Sequence, residues 1–551
     1  MNDLIYKKNL LSLASIDPEL SFEISMTEPS EQLLIKTAKD GNSVPVILDN
    51  DVVIQLHSLF NPSSEAEKLY EAGKNNSSFV IIFGLGGGYH IIPYIRDPSV
   101  ENILIIDTDK KYLRKILEEI NLTQIFTSQK INLLIDPDTA GLEKAIIEKY
   151  LPSVHGNLSI YQLKNRYSSK SSFFLYISDQ IAGILDKVTS DFTSQAYFGK
   201  RWFKNIISNM KYAEDQQILP YVKKKAAIVG AGPSLELQID HLKKSIDDTM
   251  ILASDTCAQY LIANNIIPDY IVSIDCQHIT YNHLIGFSSY NIPIIMDLGS
   301  PVFLSRLFSN RVYFTSGNPL SRLIASSWRY FQYIDTAGGN VGYASLSAAA
   351  SIGIDDITLY GIDYSYSKYK PYAKDTFLYK YFRKNAFKLN SDENSIYSFS
   401  SGSGLYEIDK KGLFSNKRMD SYHDSMISLI NKNNLNVKYA PFSHRKIISN
   451  INKAVSDKNY NIFASGRPLI SWKDFLTDYY EMLFSLPGPE SPFNRYFGNL
   501  SKKEREIWTT IYPVCASFRK DFRENNISTP DILMMTRQWC LEIIEKTLSS
   551  K

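Results

Sequence analysis

The sequence predicts an α/β protein of several units built around a central, doubly wound parallel sheet. Three observations carry this. Short apolar runs alternate with helical segments from Ala226 to Tyr366, a second run of strand, glycine turn, helix and strand lies near the N-terminus, and 551 residues exceed what one hydrophobic core supports.

The N-terminal run opens with "VPVILDNDVVIQLHSLFNP" and continues through "FVIIFGLGGGYHIIPYIRD" to "ENILIIDTDKKYLRKIL". Its turn holds Gly84, Gly86, Gly87 and Gly88, and Asp107 closes the second strand, a Rossmann-type opening. The turn resembles the cofactor loop of S-adenosylmethionine methyltransferases, where the acid would bind ribose. No further motif for a methyl acceptor follows, so a scaffold role is the expectation for this Rossmann-like domain, residues 1–150. In residues 151–220, "SSFFLYISDQIAGILDKVTSDF" and "RWFKNIISNMKYAEDQQIL" repeat their apolar positions at helical spacing, which predicts a helical connector.

The central domain, residues 221–444, begins with "AAIVGAGPSLE". Ala226 to Gly230 have the character of a strand buried on both faces, delivering its chain to a turn of small residues. Gly230 and Gly232 allow close backbone approach, Pro233 suits a first helical turn, and Ser234 offers a hydroxyl beside helix N–H groups. The chemistry that fits is phosphate binding; the competing reading is a turn that merely reverses the chain. Further strands follow in "TMILASDTCAQYLIANNIIPDYIVSID", "IPIIMDLGS", "RVYFTS" and "IDDITLYGIDYSY". Asp255, Asp275 and Asp363 sit where strands stop, so a parallel sheet should gather them with the glycine turn at one crevice, unless each is only a helix cap or turn residue.

Composition narrows the partners. Sixty lysines and arginines stand against 58 acids, so no global field draws the chain to nucleic acid or an anionic membrane. Four cysteines, Cys257, Cys276, Cys515 and Cys540, form no CxxC pair, which argues against a disulfide framework or zinc ribbon and fits a reducing cytoplasm. The first residues lack a signal-peptide apolar core, and no apolar run is long enough to span a bilayer. The 36 tyrosines and 28 phenylalanines suit sugar or partner contacts and ordinary core packing equally.

"GAGPSL", "IPDYIVSID", "GGNVGYASLSAAASIGIDDITLYGIDYSY" and "PYAKDT", four motifs in order, resemble the motility-associated factor glycosyltransferases that modify flagellin. They also resemble bacterial sialyltransferases, over Ala226 to His423, which implies a GT-A-like central sheet. The resemblance implies transfer of a nonulosonic, sialic-acid-like sugar from a CMP-activated donor to a Ser or Thr hydroxyl of flagellin or another surface protein. It implies an inverting reaction that needs no metal. It places Gly230, Gly232, Pro233 and Ser234 at the nucleotide phosphate, and Gly339, Asn340 and Val341 facing the nucleotide. Asp363 then faces the donor sugar, and Tyr372 with either Tyr366 or Tyr364 donates to the departing phosphate.

Such a transfer needs a base, because a sugar-accepting hydroxyl is a poor nucleophile while it holds its proton. His423 in "MDSYHDSMISLI" is the candidate, expected to open a helix; its other reading is a surface histidine at a helix start. Between Asp363 and His423 runs "KLNSDENSIYSFSSGSGLYEIDKKG", which reads as a lid that orders on substrate binding. Residues 445–551 read as a helical domain that recruits the acceptor or pairs subunits, its stretch "DFLTDYYEMLFSLPGPESPFNRYFGNL" being either a partner surface or a helical cap.

One departure feeds a rival. The sialyltransferases often carry Asn in the turn and at the next strand ends, where this chain has Ala231, Asp255 and Asp275. Carboxylates repel a phosphate unless they bind ribose, hold a cation or are protonated. Archaeal hydroxymethylpterin pyrophosphokinases resemble the same central domain, and acids holding Mg²⁺ suit their diphosphate transfer from ATP. A third reading is a non-catalytic scaffold for a flagellar or surface protein.

Overall fold

The computed structural model describes residues 2–49, 52–75, 77–216, 223–354, 356–367, 370–402, 404–409, 412–445, 466–522 and 527–550. The chain divides into two compact units, Met1–Lys200 with Met482–Leu541, and Arg201–Glu481 with Glu542–Lys551. Compactness thus partitions the chain differently from composition, which draws its lines at 150, 220 and 444.

In the first unit, β1 (Leu33–Thr37), β2 (Ser43–Asp49) and β3 (Val52–Gln55) form a small antiparallel sheet. Then β4 (Phe79–Phe83), β5 (Asn102–Asp107), β6 (Ile131–Ile135) and β7 (Leu158–Gln162) form a parallel sheet in the order β6-β5-β4-β7. Every residue of β4 and β5 is buried, as strands covered on both faces require. β7 lies within the stretch expected to be a helical connector. Its half-exposed, alternating "LSIYQ" belongs to a sheet edge, and an edge strand lacks the apolar run that marks a central one. The connector helix itself is Ser171–Ala213, 43 residues long.

The second unit contains β8 (Lys225–Val229), β9 (Thr249–Ser254), β10 (Tyr270–Ser273), β11 (Ile294–Asp297), β12 (Arg311–Thr315), β13 (Gln332–Tyr333), β14 (Asp356–Tyr360), β15 (Tyr366–Ser367), β16 (Tyr406–Asp409), β17 (Leu413–Ser415) and β18 (Asn436–Tyr439). Eight of these form one parallel sheet, ordered β13-β12-β11-β10-β9-β8-β14-β18. The chain enters at β8, runs outward through β13, then returns to place β14 on the other side of β8. The topological switch point therefore lies between β8 and β14, where doubly wound sheets open a crevice at their carboxyl edge.

Helix Val341–Ser351 covers one face of this sheet. Its small residues Ala344, Ala348 and Ala349 are buried with Ile228, Leu252, Val272, Ile295 and Leu359, so the helix backbone lies close to the strands. The stretch expected to be a lid contains helix Asp392–Ser401 and strand β16, which pairs with β17 just beyond it, and β17 in turn pairs with β15; its residues 403 and 410–411 lie outside those described. It is therefore anchored, through β17, on Tyr366–Ser367 rather than irregular throughout.

The C-terminal region is helical over Trp472–Phe484, Phe493–Asn499, Lys502–Asp521 and Thr529–Ser549, with residues 446–465 and 523–526 outside those described. Phe475, Tyr479, Phe493 and Tyr496 of its aromatic stretch are buried, as in a helical cap. Among the described residues no helix is long and apolar enough to cross a membrane, and all four cysteines are free and buried.

Candidate active site

The glycine turn leaves β8 and meets the chain leaving β14. The Gly230 N–H donates to the Tyr360 carbonyl and the Gly232 N–H to the Gly361 carbonyl, both at 2.8 Å. Neither glycine has a positive φ, so the need for glycine is space rather than dihedral freedom. A Cβ on Gly232 would stand 2.5 Å from Asp363 Oδ2 and 2.6 Å from the Gly361 oxygen, and one on Gly230 would stand 2.7 Å from that same oxygen. What approaches the turn so closely is the protein's own chain. The Ser234 N–H, at the start of helix Leu235–Lys243, donates to Asp363 Oδ2 at 2.8 Å, while the Ser234 hydroxyl and Asp363 Oδ1 are buried without a partner. Pro233, expected in the first helical turn, lies before it instead, because the helix begins at Leu235 with Ser234 in the cap position.

Asp363 is almost fully buried, and burial raises its pKa against the opposing pull of His444, whose Nδ1 lies 3.7 Å from Oδ2. The same Nδ1 is 3.1 Å from Ser365 Oγ. Sequence reading missed His444. It follows β18, the last strand, and only the sheet order brings that strand beside β14.

Asp255 and Asp275 stand at the ends of β9 and β10. Asp255 is the first residue of helix Asp255–Ala263, with Ser254 as its cap; its Oδ1 accepts the Thr256 N–H at 2.7 Å and its Oδ2 the Ser273 hydroxyl at 2.8 Å. Asp275 accepts the Gln277 N–H at 2.9 Å, and burial first, then the charge of Asp255, raise its pKa. A third acid, Asp297 at the end of β11, was not singled out from sequence. It accepts the Gly299 N–H at 2.6 Å, and burial pushes it up to about 6. Asn205 and Asn209 of helix Ser171–Ala213 position the loops beyond these strands: Asn205 donates to the Gly299 carbonyl at 2.9 Å and Asn209 to the Leu298 and Ser300 carbonyls at 2.9 and 2.8 Å. Among the described residues, no group of three or more His, Cys, Asp or Glu is placed to hold a metal ion.

On the other side of the switch point, Gly339 takes φ +68, Asn340 caps helix Val341–Ser351 by accepting the Tyr343 N–H at 3.0 Å, and Val341 is its first residue. The Tyr364 hydroxyl donates to Asn340 Oδ1 at 3.4 Å, and its ring meets the His423 ring edge-on, 6.1 Å between centroids. His423 is the seventh residue of helix Lys417–Asn433 rather than its opening; Asn416, not predicted as a cap, begins the helix by accepting the Met419 N–H. Both His423 ring nitrogens are buried without a hydrogen-bond partner, with Asp424 Oδ1 3.6 Å from Nδ1. Burial, helped by the Arg445 charge, lowers its pKa, so the imidazole is neutral near pH 7.

Tyr372 joins the two sides. The next residue, Ala373, donates its N–H to the Ala231 carbonyl of the glycine turn at 2.8 Å. Burial pushes the Tyr372 phenol up to about 12, assisted by Tyr366, Asp255 and Tyr422, so all four lie within one electrostatic neighbourhood. Tyr366 receives a bond from Asn416 Nδ2 at 3.4 Å, and Tyr422 lies against Gly339. The ends of these strands thus gather an acid row, a group of phenols and a histidine whose ring nitrogens have no hydrogen-bond partner.

The N-terminal glycine turn is filled by the protein itself. Asp107 accepts the Leu85 N–H at 2.7 Å and forms a buried ion pair with Arg166 at 2.9 Å, and His57 Nε2 accepts the Gly87 N–H at 2.8 Å. A Cβ on Gly86 would stand 2.5 Å from Leu163 Cδ2. These contacts fit the scaffold role expected of this turn.

The fold defines a doubly wound α/β protein whose second unit has its switch point between β8 and β14. Residues 200–369 match the family model described as "6-hydroxymethylpterin diphosphokinase MptE-like". Along its whole length the chain has the fold of the Maf glycosyltransferase from Magnetospirillum magneticum AMB-1, with a TM-score of 0.56 at 12% identity, covering 96% of that chain. The whole-chain fold agrees with the Maf resemblance of the motifs, while the central match is to the family raised above as the rival to the sialyltransferases. An uncharacterized protein of Treponema pallidum (strain Nichols) is 30% identical over 170 residues, 30% of this chain and 79% of its own length. A second uncharacterized protein of that strain is 29% identical over 118 residues, 21% of this chain and 42% of its own. The chain belongs to the family of the first of these Treponema proteins.

Proposed function

We propose that the protein is a glycosyltransferase that moves a nonulosonic sugar from a CMP-activated donor to a Ser or Thr hydroxyl of flagellin or another surface protein. The observation that carries the reading is His423, a neutral imidazole with both nitrogens unbonded, beside Tyr364 on the crevice. The acceptor hydroxyl gives its proton to this imidazole as its oxygen bonds to the anomeric carbon; the carbon–oxygen bond to phosphate breaks, its electron pair leaves with CMP, and attack from the opposite face inverts the configuration. Tyr372, with Tyr366 or Tyr364, donates to the charge growing on the phosphate. Gly230, Gly232, Pro233 and Ser234 border the nucleotide with Gly339, Asn340 and Val341, and no metal takes part. The Maf glycosyltransferase whose fold this chain shares supports the reaction class.

The test follows CMP release from CMP-activated nonulosonic acids with flagellin present. Tyr372→Phe should slow turnover at saturating acceptor by roughly 10²- to 10³-fold while donor affinity changes less. Equal loss of donor affinity and rate would remove Tyr372 from the leaving-group role.

The family model over residues 200–369 favours a second reading, diphosphate transfer from ATP with Mg²⁺. Ligand-induced thermal stabilisation separates the two, since it grows with concentration over dissociation constant. CMP should stabilise the protein without metal. Stabilisation by ATP with Mg²⁺ alone would replace the sugar-transfer reading.

A further inference from the structure

The balanced total charge hides a local imbalance. From Lys380 to Leu389 the sequence "KYFRKNAFKL" carries Lys380, Arg383, Lys384 and Lys388 and no acid. It spans the end of helix Phe377–Asn385 and the turn beyond it. Arg383 reaches Asp392 at 3.8 Å and Lys380 donates to Gln259, whereas Lys384 and Lys388 have no hydrogen bond or ion pair among the described residues. Large apolar side chains project between the cations: Tyr381 is 51% exposed, Phe387 62% and Leu389 86%. The face is built, not frayed, since the same helix buries Tyr379 and sets Phe382 against Phe399 of helix Asp392–Ser401.

We propose that this face docks on an anionic lipid surface. A cationic stretch gains from the negative potential of acidic lipids, and the long lysine stems let each ammonium reach a headgroup while an adjacent apolar side chain enters the acyl boundary. Phe387 and Leu389, beyond the helix, project into solvent, whereas Tyr381 also meets the rings of Phe377 and Phe382. That geometry suits a fluid bilayer, which closes around isolated side chains, better than a protein partner, which needs a shaped cleft. An acidic protein would answer the lysines but gain little from Leu389. With 60 cations against 58 acids overall, the attraction is local and fixes the orientation in which the protein meets the surface. The inference is independent of the reaction proposed for the crevice.

The full chain is sedimented with vesicles of mixed phosphatidylglycerol and phosphatidylcholine, and with vesicles of phosphatidylcholine alone. It should bind only the anionic vesicles and be released by salt. Lys384→Ala with Lys388→Ala should weaken binding about 25-fold, about fivefold for each cation near such a surface. Phe387→Ser with Leu389→Ser should weaken it even at low salt, with an unchanged unfolding temperature. Equal binding to the neutral vesicles, or no binding to the anionic ones, would overturn the proposal. So would full competition by polyglutamate together with unaltered binding by the Phe387, Leu389 double variant, which would assign the face to an acidic protein.

Discussion

Asp363 Oδ2 accepts the Ser234 N–H at 2.8 Å, joining the end of β14 to the first turn of the helix that follows β8. A carboxylate of the protein thus holds an N–H that the sequence alone offers to a phosphate. Asp363→Asn keeps an acceptor of the same size and should leave the unfolding free energy within about 1 kcal/mol, whereas Asp363→Ala leaves a buried N–H unmet and should cost about 1–3 kcal/mol. Chemical denaturation of both variants checks this; equal losses would mean the bond contributes nothing.

His423 supplies a pH signature. Its pKa is lowered, first by burial and then by Arg445, so the acid limb of the rate profile should lie below the ordinary histidine value of 6.5. Arg445→Gln should move that limb upward. His423→Ala should lower turnover by roughly 10²- to 10⁴-fold and leave CMP affinity nearly unchanged. An undiminished rate would send the search for the base to Asp255 or Asp275.

Gly232→Ala should destabilise the fold as well as weaken nucleotide binding, because the new methyl group meets the Gly361 carbonyl oxygen, part of the backbone, at 2.6 Å. A cost of about 1–3 kcal/mol is expected for overpacking of this kind. Calorimetric titration with CMP alongside thermal unfolding separates the two effects. Normal stability combined with lost binding would show that the turn yields locally.

Asp297 is pushed up to about 6 by burial, so the folded state holds its proton more tightly than the unfolded chain. Its contribution is fully present below the unfolded value of 3.8 and is lost as pH rises through about 6. Asp297→Asn keeps the acceptor for the Gly299 N–H and should stabilise the protein at neutral pH, by roughly 3 kcal/mol at most, with little gain near pH 4. A gain that is the same at both pH values would contradict the burial argument.

Much of the architecture was legible in the sequence. Apolar runs such as "FVIIF" and "AAIVG" specify buried strands because an uninterrupted apolar segment must be covered on both faces. The resemblance singled out Asn340, and Tyr364 as the alternative to Tyr366; the structure adds that the Tyr364 hydroxyl donates to Asn340 Oδ1. The edge strand Leu158–Gln162 was not legible, since its alternating residues are only half covered. Nor was the start of the His423 helix at Lys417, set by a cap bond from Asn416 rather than by an apolar repeat.

What only the tertiary structure decided is which groups share an environment. Burial and neighbouring charge are properties of packing, and no spacing in the sequence states them. His444 lies 79 positions from Ser365 and meets it because β18 is laid beside β14. Asp297 owes its raised pKa to burial, and Gly232 is required by a carbonyl and a carboxylate that come from 129 and 131 residues along the chain. The sequence by itself determined the strands, the glycine turn and the residue types available at their ends; the order of strands in the sheet decided which of them meet.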